Sequence, residues 1–132
     1  MGDDQAANGI ETIASRHSVD ETVEKLKQLL QFNGVTLFAI IDHSGEAKKA
    51  GLGMPDTKVV IFGSPKAGTP VMLHAPLIAI DLPLKILIWQ DSDGKVWISY
   101  TRPEFLQERY QLPGDLITPL AAVRMLAGSI AQ

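Results

Sequence analysis

From Val19 the apolar positions recur at spacings of four, three and four, through Val23, Leu26 and Leu30. That is the period of a helix with one buried face. Ser18 precedes the run and Glu21 follows three positions later, the signature of a capping box in which each side chain satisfies a free N–H of the first turn. Gly34 stands where a left-handed residue ends such a helix. The pattern then changes to runs of strand character. Val35 to Ile41 reads as a strand with apolar residues on both faces, so both should be at least partly covered. Thr57 to Phe62 is a second apolar run, and Ile10 to Arg16 a weaker first strand. Leu84 to Gln90 and Lys95 to Thr101 flank Asp91-Ser-Asp-Gly94, which is hairpin-turn chemistry.

Short helices fill the gaps. Glu46 to Ala50 forms one, closed by Gly51. Thr69 and Pro70 read as the cap and first turn of another that runs towards Ile80 and is bent or ended by Pro76. Pro103 to Tyr110 forms the next. Thr118 and Pro119 open the last, with a stripe of Leu120, Val123, Leu126 and Ala127. The order predicts an α+β fold: a two-layer sandwich of helices on a mixed sheet of about five strands. The link from Asp42 to Asp56 is long enough for a parallel crossover.

Composition narrows the function classes. The chain has 132 residues, 45% hydrophobic and 20% charged, which suits a single domain over residues 9–132 behind a loose tail, 1–8. With no cysteine there is no thiol chemistry, disulfide or thiolate metal site. A net charge of -3 speaks against a duplex nucleic-acid partner. The N-terminus lacks a signal-peptide pattern, and the apolar stretch from Ala75 to Trp89 is interrupted by Asp81, Pro83 and Lys85. A cytoplasmic protein with no membrane partner is the expectation.

Several segments together resemble a known family. They are the run from Ser18 to Leu26, Phe38 to His43, Ala50-Gly51, Val60 to Pro70, Ala79 to Lys85, and Asp93 to Tyr100. In this order and spacing the stretch from Ser18 to Tyr110 resembles a bacterial and archaeal family catalogued as domain of unknown function 302. The resemblance implies an α+β domain that stands alone in most members and tends to form homodimers. It carries no activity, substrate or catalytic residue.

Candidate chemistry therefore rests on the residues. If the first strands run parallel, their C-terminal ends gather His17, Asp42, His43, the Gly63–Thr69 segment and Gln90-Asp91 on one edge, where open α/β sheets bind ligands. The segment Gly63, Ser64, Lys66, Gly68 and Thr69 follows a strand and precedes a helix, so its N–H groups can cradle a small anion, with Lys66 adding charge. It is no Walker A loop, because Thr69 stands where lysine is required. The alternative is a tight turn that caps the helix. Asp42 and His43 form an acid–base pair or two metal ligands on one reading. On the other, Asp42 or Ser44 caps the short helix and His43 is solvated. No metal site or cofactor is expected. Asp81 should accept backbone N–H bonds at a helix end. Trp89 and Trp97 can pair across the hairpin, with Tyr100 on the face opposite Trp97.

Three functions fit. The first is a homodimeric binding or regulatory module for a small anionic or flat ligand. The second is a small enzyme using His43 and Asp42. The third is a homodimeric scaffold with no ligand.

Overall fold

The computed structural model describes residues 8–132, so nearly all of the expected tail, 1–8, lies outside the described residues. Five strands form one sheet: β1 (Ile10–Ser15), β2 (Thr36–Asp42), β3 (Thr57–Gly63), β4 (Leu84–Gln90) and β5 (Val96–Thr101). Five α-helices accompany them: α1 (Val19–Phe32), α2 (His43–Lys49), α3 (Pro65–His74), α4 (Pro103–Tyr110) and α5 (Gly114–Ala131). A 3-10 helix, Pro76–Ile80, follows α3.

The strand order is β1-β5-β4-β3-β2, and every neighbouring pair is antiparallel. The α+β class and the five strands are as expected; the sheet is not mixed. The difference lies in the link after β2. A parallel crossover needs a helix that covers the sheet, and α2 has seven residues and buries none of them. It folds over the sheet end and returns the chain beside β2 in the opposite direction.

The main core lies between α1, α5 and one face of the sheet. Val19, Val23, Leu26 and Leu30, the four residues of the helical stripe, all sit in it. The capping box at Ser18 and Glu21 forms, and Gly34 takes φ +67°. Gly34 and Val35 donate to the carbonyls of Gln31 and Leu30, the bond pair of a Schellman motif. A second core sits at one end of the sheet, where Val71, Ile78, Leu106, Leu112 and Leu120 meet. Helix α5 serves both, through Leu120 in the second core and Val123, Leu126, Ala127 and Ile130 in the first. By length and composition alone α5 could cross a bilayer, and among the described residues it is the one helix that could. These five side chains spend its inner face on the cores.

Two helices start earlier than their internal prolines suggest. Helix α3 begins at Pro65, not Thr69, and α5 begins at Gly114, not Thr118. Pro70 and Pro119 lie inside the helices. A proline suits the first turn but does not forbid an earlier start, and in α5 the added turn brings Leu116 against the second core. Strand β2 also departs from its simple alternation. A bulge at Phe38 leaves Leu37 opposite Phe62 but Ala39 opposite Ile61. The strand is an edge strand whose large apolar residues, from Leu37 to Ile41, are 37–51% exposed, so both faces are covered only in part.

Candidate functional site

Antiparallel pairing divides the edge that the sequence had joined. Strands β1, β2 and β4 end where β3 and β5 begin. His17, Asp42, His43 and Asp91 therefore lie at one end of the sheet. The Gly63–Thr69 segment follows β3 and lies at the opposite end.

At the first end Asp42 is committed to structure. Its Oδ1 accepts from the Ser44 hydroxyl at 2.7 Å and from the Gly45 N–H at 2.9 Å, capping α2. These two donors hold its carboxyl below the ordinary aspartate range. Ser44 in turn accepts from the Thr57 N–H at 3.0 Å and so fastens α2 to β3. His43 is exposed and makes no hydrogen bond with Asp42. An open cleft of about 510 Å³ includes Asp20, Asp42, Asp56, Lys48 and Lys58 but not His43. Lys58 pairs with Asp20 at 2.8 Å within it. His17 bonds the Gln132 carbonyl through Nε2 at 2.8 Å. Asp91 accepts from the N–H groups of Asp93 and Lys95 and from the Trp97 indole, each at 2.8–2.9 Å, which makes it the centre of the hairpin turn. Among the described residues no group of three or more His, Asp and Glu side chains can hold a metal ion.

The other end holds a cavity of about 220 Å³. Gly63, Ser64, Pro65, Gly68 and Thr69 form one wall, and Met72 continues it along α3. Phe38 on the β2 bulge, the chain from Leu82 to Leu84, and Pro119 and Leu120 of α5 form the rest. A Cβ on Gly63 would stand 3.4 Å from the Phe38 ring and 3.6 Å from Pro83, at ordinary contact distance, so these two side chains close over Gly63. Gly68 opens the wall; a Cβ there would meet only Met72, at 3.9 Å.

Four of the five expected binding residues, Gly63, Ser64, Gly68 and Thr69, thus line one cavity. Lys66 is exposed and does not line it. The expected cradle of N–H groups is also reduced. Pro65 has none, and the N–H groups of Ala67 and Gly68 both bond to the Ser64 carbonyl. The Ser64 hydroxyl makes no capping bond, and Ser64 and Thr69 supply the polar side chains among the lining residues. The site is an apolar chamber with the hydroxyl residues Ser64 and Thr69 at one wall. Sequence reasoning missed Phe38, Met72, Leu82 and Pro119, because the residues come from four separate elements and their period marks them only as apolar.

Two polar clusters brace this architecture. Arg124 of α5 grips Glu104 of α4 with two bonds, of 2.9 and 2.6 Å, and reaches Glu11 of β1 at 3.3 Å. The Arg124 guanidinium holds the Glu104 carboxyl below the ordinary range. Glu11 accepts from the buried Tyr100 hydroxyl at 2.6 Å, and burial followed by this bond pushes Tyr100 up to about 12. Near the cavity, Asp81 accepts from the Tyr110 hydroxyl and from Arg109, not from backbone N–H groups as expected. Trp89 and Trp97 do pair, with ring centres 6.5 Å apart, on the face opposite the buried Tyr100.

Comparison with known proteins agrees with this fold. A family model described as "Domain of unknown function DUF302" matches residues 11–129. A crystal structure of an uncharacterized conserved DUF302 protein from Bacillus stearothermophilus superposes with a TM-score of 0.76 at 18% identity. The match covers 93% of this chain and 95% of that one. A protein of Brucella suis biovar 1 (strain 1330) named "Fluoride-specific ion channel FluC 1" is 39% identical over 122 residues, 92% of this chain and 47% of that protein. One of Brucella melitensis biotype 1 named "Fluoride-specific ion channel FluC 2" is also 39% identical, over 44% of its length. The chain thus spans about half the length of these curated relatives.

Proposed function

The chain belongs to the DUF302 family, whose name assigns no activity, and from the cavity at the α3 N-terminus we propose that it is a binding module for a small, flat and largely apolar ligand. The single observation that carries this reading is the chamber itself. A dry cavity of about 150 Å³ suffices to take benzene, so about 220 Å³ has room for a two-ring ligand. The hydroxyls of Ser64 and Thr69, the polar side chains among the lining residues, suit one acceptor group on that ligand, such as a single carboxylate. The anionic part of the expected ligand is thereby reduced to one end of an apolar body.

The test uses naphthoate and naphthalene as probes, titrated calorimetrically. Naphthoate should saturate the wild type, and Gly68→Leu, whose side chain enters the chamber, should abolish binding. Ser64→Ala should weaken naphthoate and leave naphthalene unchanged. Equal binding by Gly68→Leu and wild type, or no saturation by either probe, refutes the reading.

The module acts as a homodimer in this proposal. The support is β2, an edge strand that exposes Leu37, Phe38, Ile40 and Ile41, since natural edge strands of this kind are normally covered or charged. In the Brucella relatives, which are about twice as long, we assign the matched half to this α+β module and ion passage to the other half. The ground is that the strands here have six or seven residues and α5 is spent on the cores.

A further inference from the structure

Helix α3 and the 3-10 helix after it carry an apolar ridge that the cores do not use. Val71 and Ile78 point inward and are fully buried. Leu73, Leu77 and Ile80 point outward, and each is 79% exposed. Leu77 and Ile80 are three apart on a 3-10 helix, where such positions eclipse, so they project side by side. Three large aliphatic side chains within eight residues of chain are more than scattered exposure explains.

The charge around the ridge has a sign. Lys66 lies seven positions before Leu73 on α3, which puts it on the same helix face, exposed. Lys85 folds back on the carbonyls of Asp81 and Pro83, directly after the 3-10 helix. Arg109 binds Asp81 and neutralises that carboxylate. Lys66 and Lys85 thus flank the ridge with positive charge, and the Asp81 carboxylate beside it is paired. A protruding aliphatic ridge with basic flanks matches the chemistry of an anionic bilayer surface, where aliphatic side chains enter the interface and cations meet headgroups.

We propose that this ridge docks the domain on an anionic lipid surface, with Leu73, Leu77 and Ile80 inserted at the interface and Lys66 and Lys85 above them. The expectation of no membrane partner drew on the lack of a spanning segment in the sequence, and surface docking needs none. The proposal is independent of the ligand cavity.

The test is co-sedimentation of the full chain with vesicles of phosphatidylcholine alone and of phosphatidylcholine with phosphatidylglycerol. The wild type should bind the anionic vesicles and release at high salt. The triple variant Leu73→Ser, Leu77→Ser, Ile80→Ser should lose at least about tenfold in partitioning. Lys66→Gln should lose about fivefold on anionic vesicles alone. Circular dichroism verifies the fold of each variant, and the single variant Leu77→Ser gives the same reading should the triple one not fold. Wild type left in the supernatant overturns the proposal, as does full binding by the folded triple variant. So does a triple variant that turns a wild-type dimer into a monomer, since a second copy then covers the ridge.

Discussion

Gly68 separates two descriptions of the segment that forms the cavity wall. As a loop ending at Thr69, the segment would need glycine for turn geometry, and any side chain would strain it. In the structure Gly68 is the fourth residue of α3, its N–H bonded to the Ser64 carbonyl at 2.8 Å. A Cβ there finds only the Met72 terminal methyl at 3.9 Å, an ordinary contact. Gly68→Ala should therefore stabilise the protein by about 0.5–1 kcal/mol, through the lost backbone entropy of glycine in the unfolded chain and the gain in helix propensity. For a domain of this size that is a rise of roughly 2–6 °C in melting temperature. Pro70→Ala tests the same boundary from the other side. At an interior helix position proline forfeits a bond to the Lys66 carbonyl, so its removal should also stabilise, whereas at a first turn its removal should not. The assay is thermal unfolding followed by circular dichroism, with urea unfolding to check that the slope is unchanged. A lower melting temperature for both variants refutes the early start of α3 and returns Gly63–Thr69 to a loop.

Other outcomes follow from the braces and the edge. The Arg124 grip lowers the Glu104 pKa, so its contribution is present above the unfolded carboxylate pKa and is lost as pH falls through the lower folded value. Glu104→Gln should thus cost stability at neutral pH, and the difference in melting temperature from wild type should shrink in acid; a constant difference refutes the pairing. Tyr100 is raised from 10.0 to about 12, so its contribution is full below 10 and declines as pH rises towards 12. Alkaline titration of phenolate absorbance should show this late ionisation, and Tyr100→Phe should remove its share of the signal and leave that of Tyr110, which its bond to Asp81 also raises. Ile40→Lys on the exposed edge of β2 should turn a dimer into a monomer by native mass spectrometry; an unchanged dimer moves the interface elsewhere.

How much of this was legible in the sequence depends on the range of the forces involved. Local signals held. The Ser18–Glu21 box, the Gly34 cap and the Asp91–Gly94 turn depend on bonds within a few residues, and each forms as read. The helical stripe from Val19 to Leu30 held because one buried face imposes one period. Strand direction did not follow from the sequence. It depends on whether the link after β2 crosses the sheet or turns back, and a seven-residue helix with no buried side chain has no period to announce either. That one ambiguity carried the site with it, since it decides whether Asp42 and Gly68 share an end of the sheet. The prolines misled for a related reason. Pro65 and Pro70 are both acceptable first-turn residues, so local sequence alone does not choose between the two starts.

The same reasoning explains why the cavity was half visible. Gly63, Ser64, Gly68 and Thr69 stood out because glycine and hydroxyl residues between a strand and a helix carry a local meaning. Phe38 stood in an ordinary strand run, and only the bulge that breaks its alternation turns it towards Gly63. Met72, Leu82 and Pro119 carry no local polar signal at all. What the sequence presented as an anion cradle, open and basic, becomes an apolar chamber once α3 starts at Pro65. The early start ties two N–H groups to the Ser64 carbonyl and leaves Lys66 outside the chamber. The position of one helix end thus decides the chemistry of the ligand, which is why Gly68 and Pro70 are the substitutions that test the fold and the proposed function together.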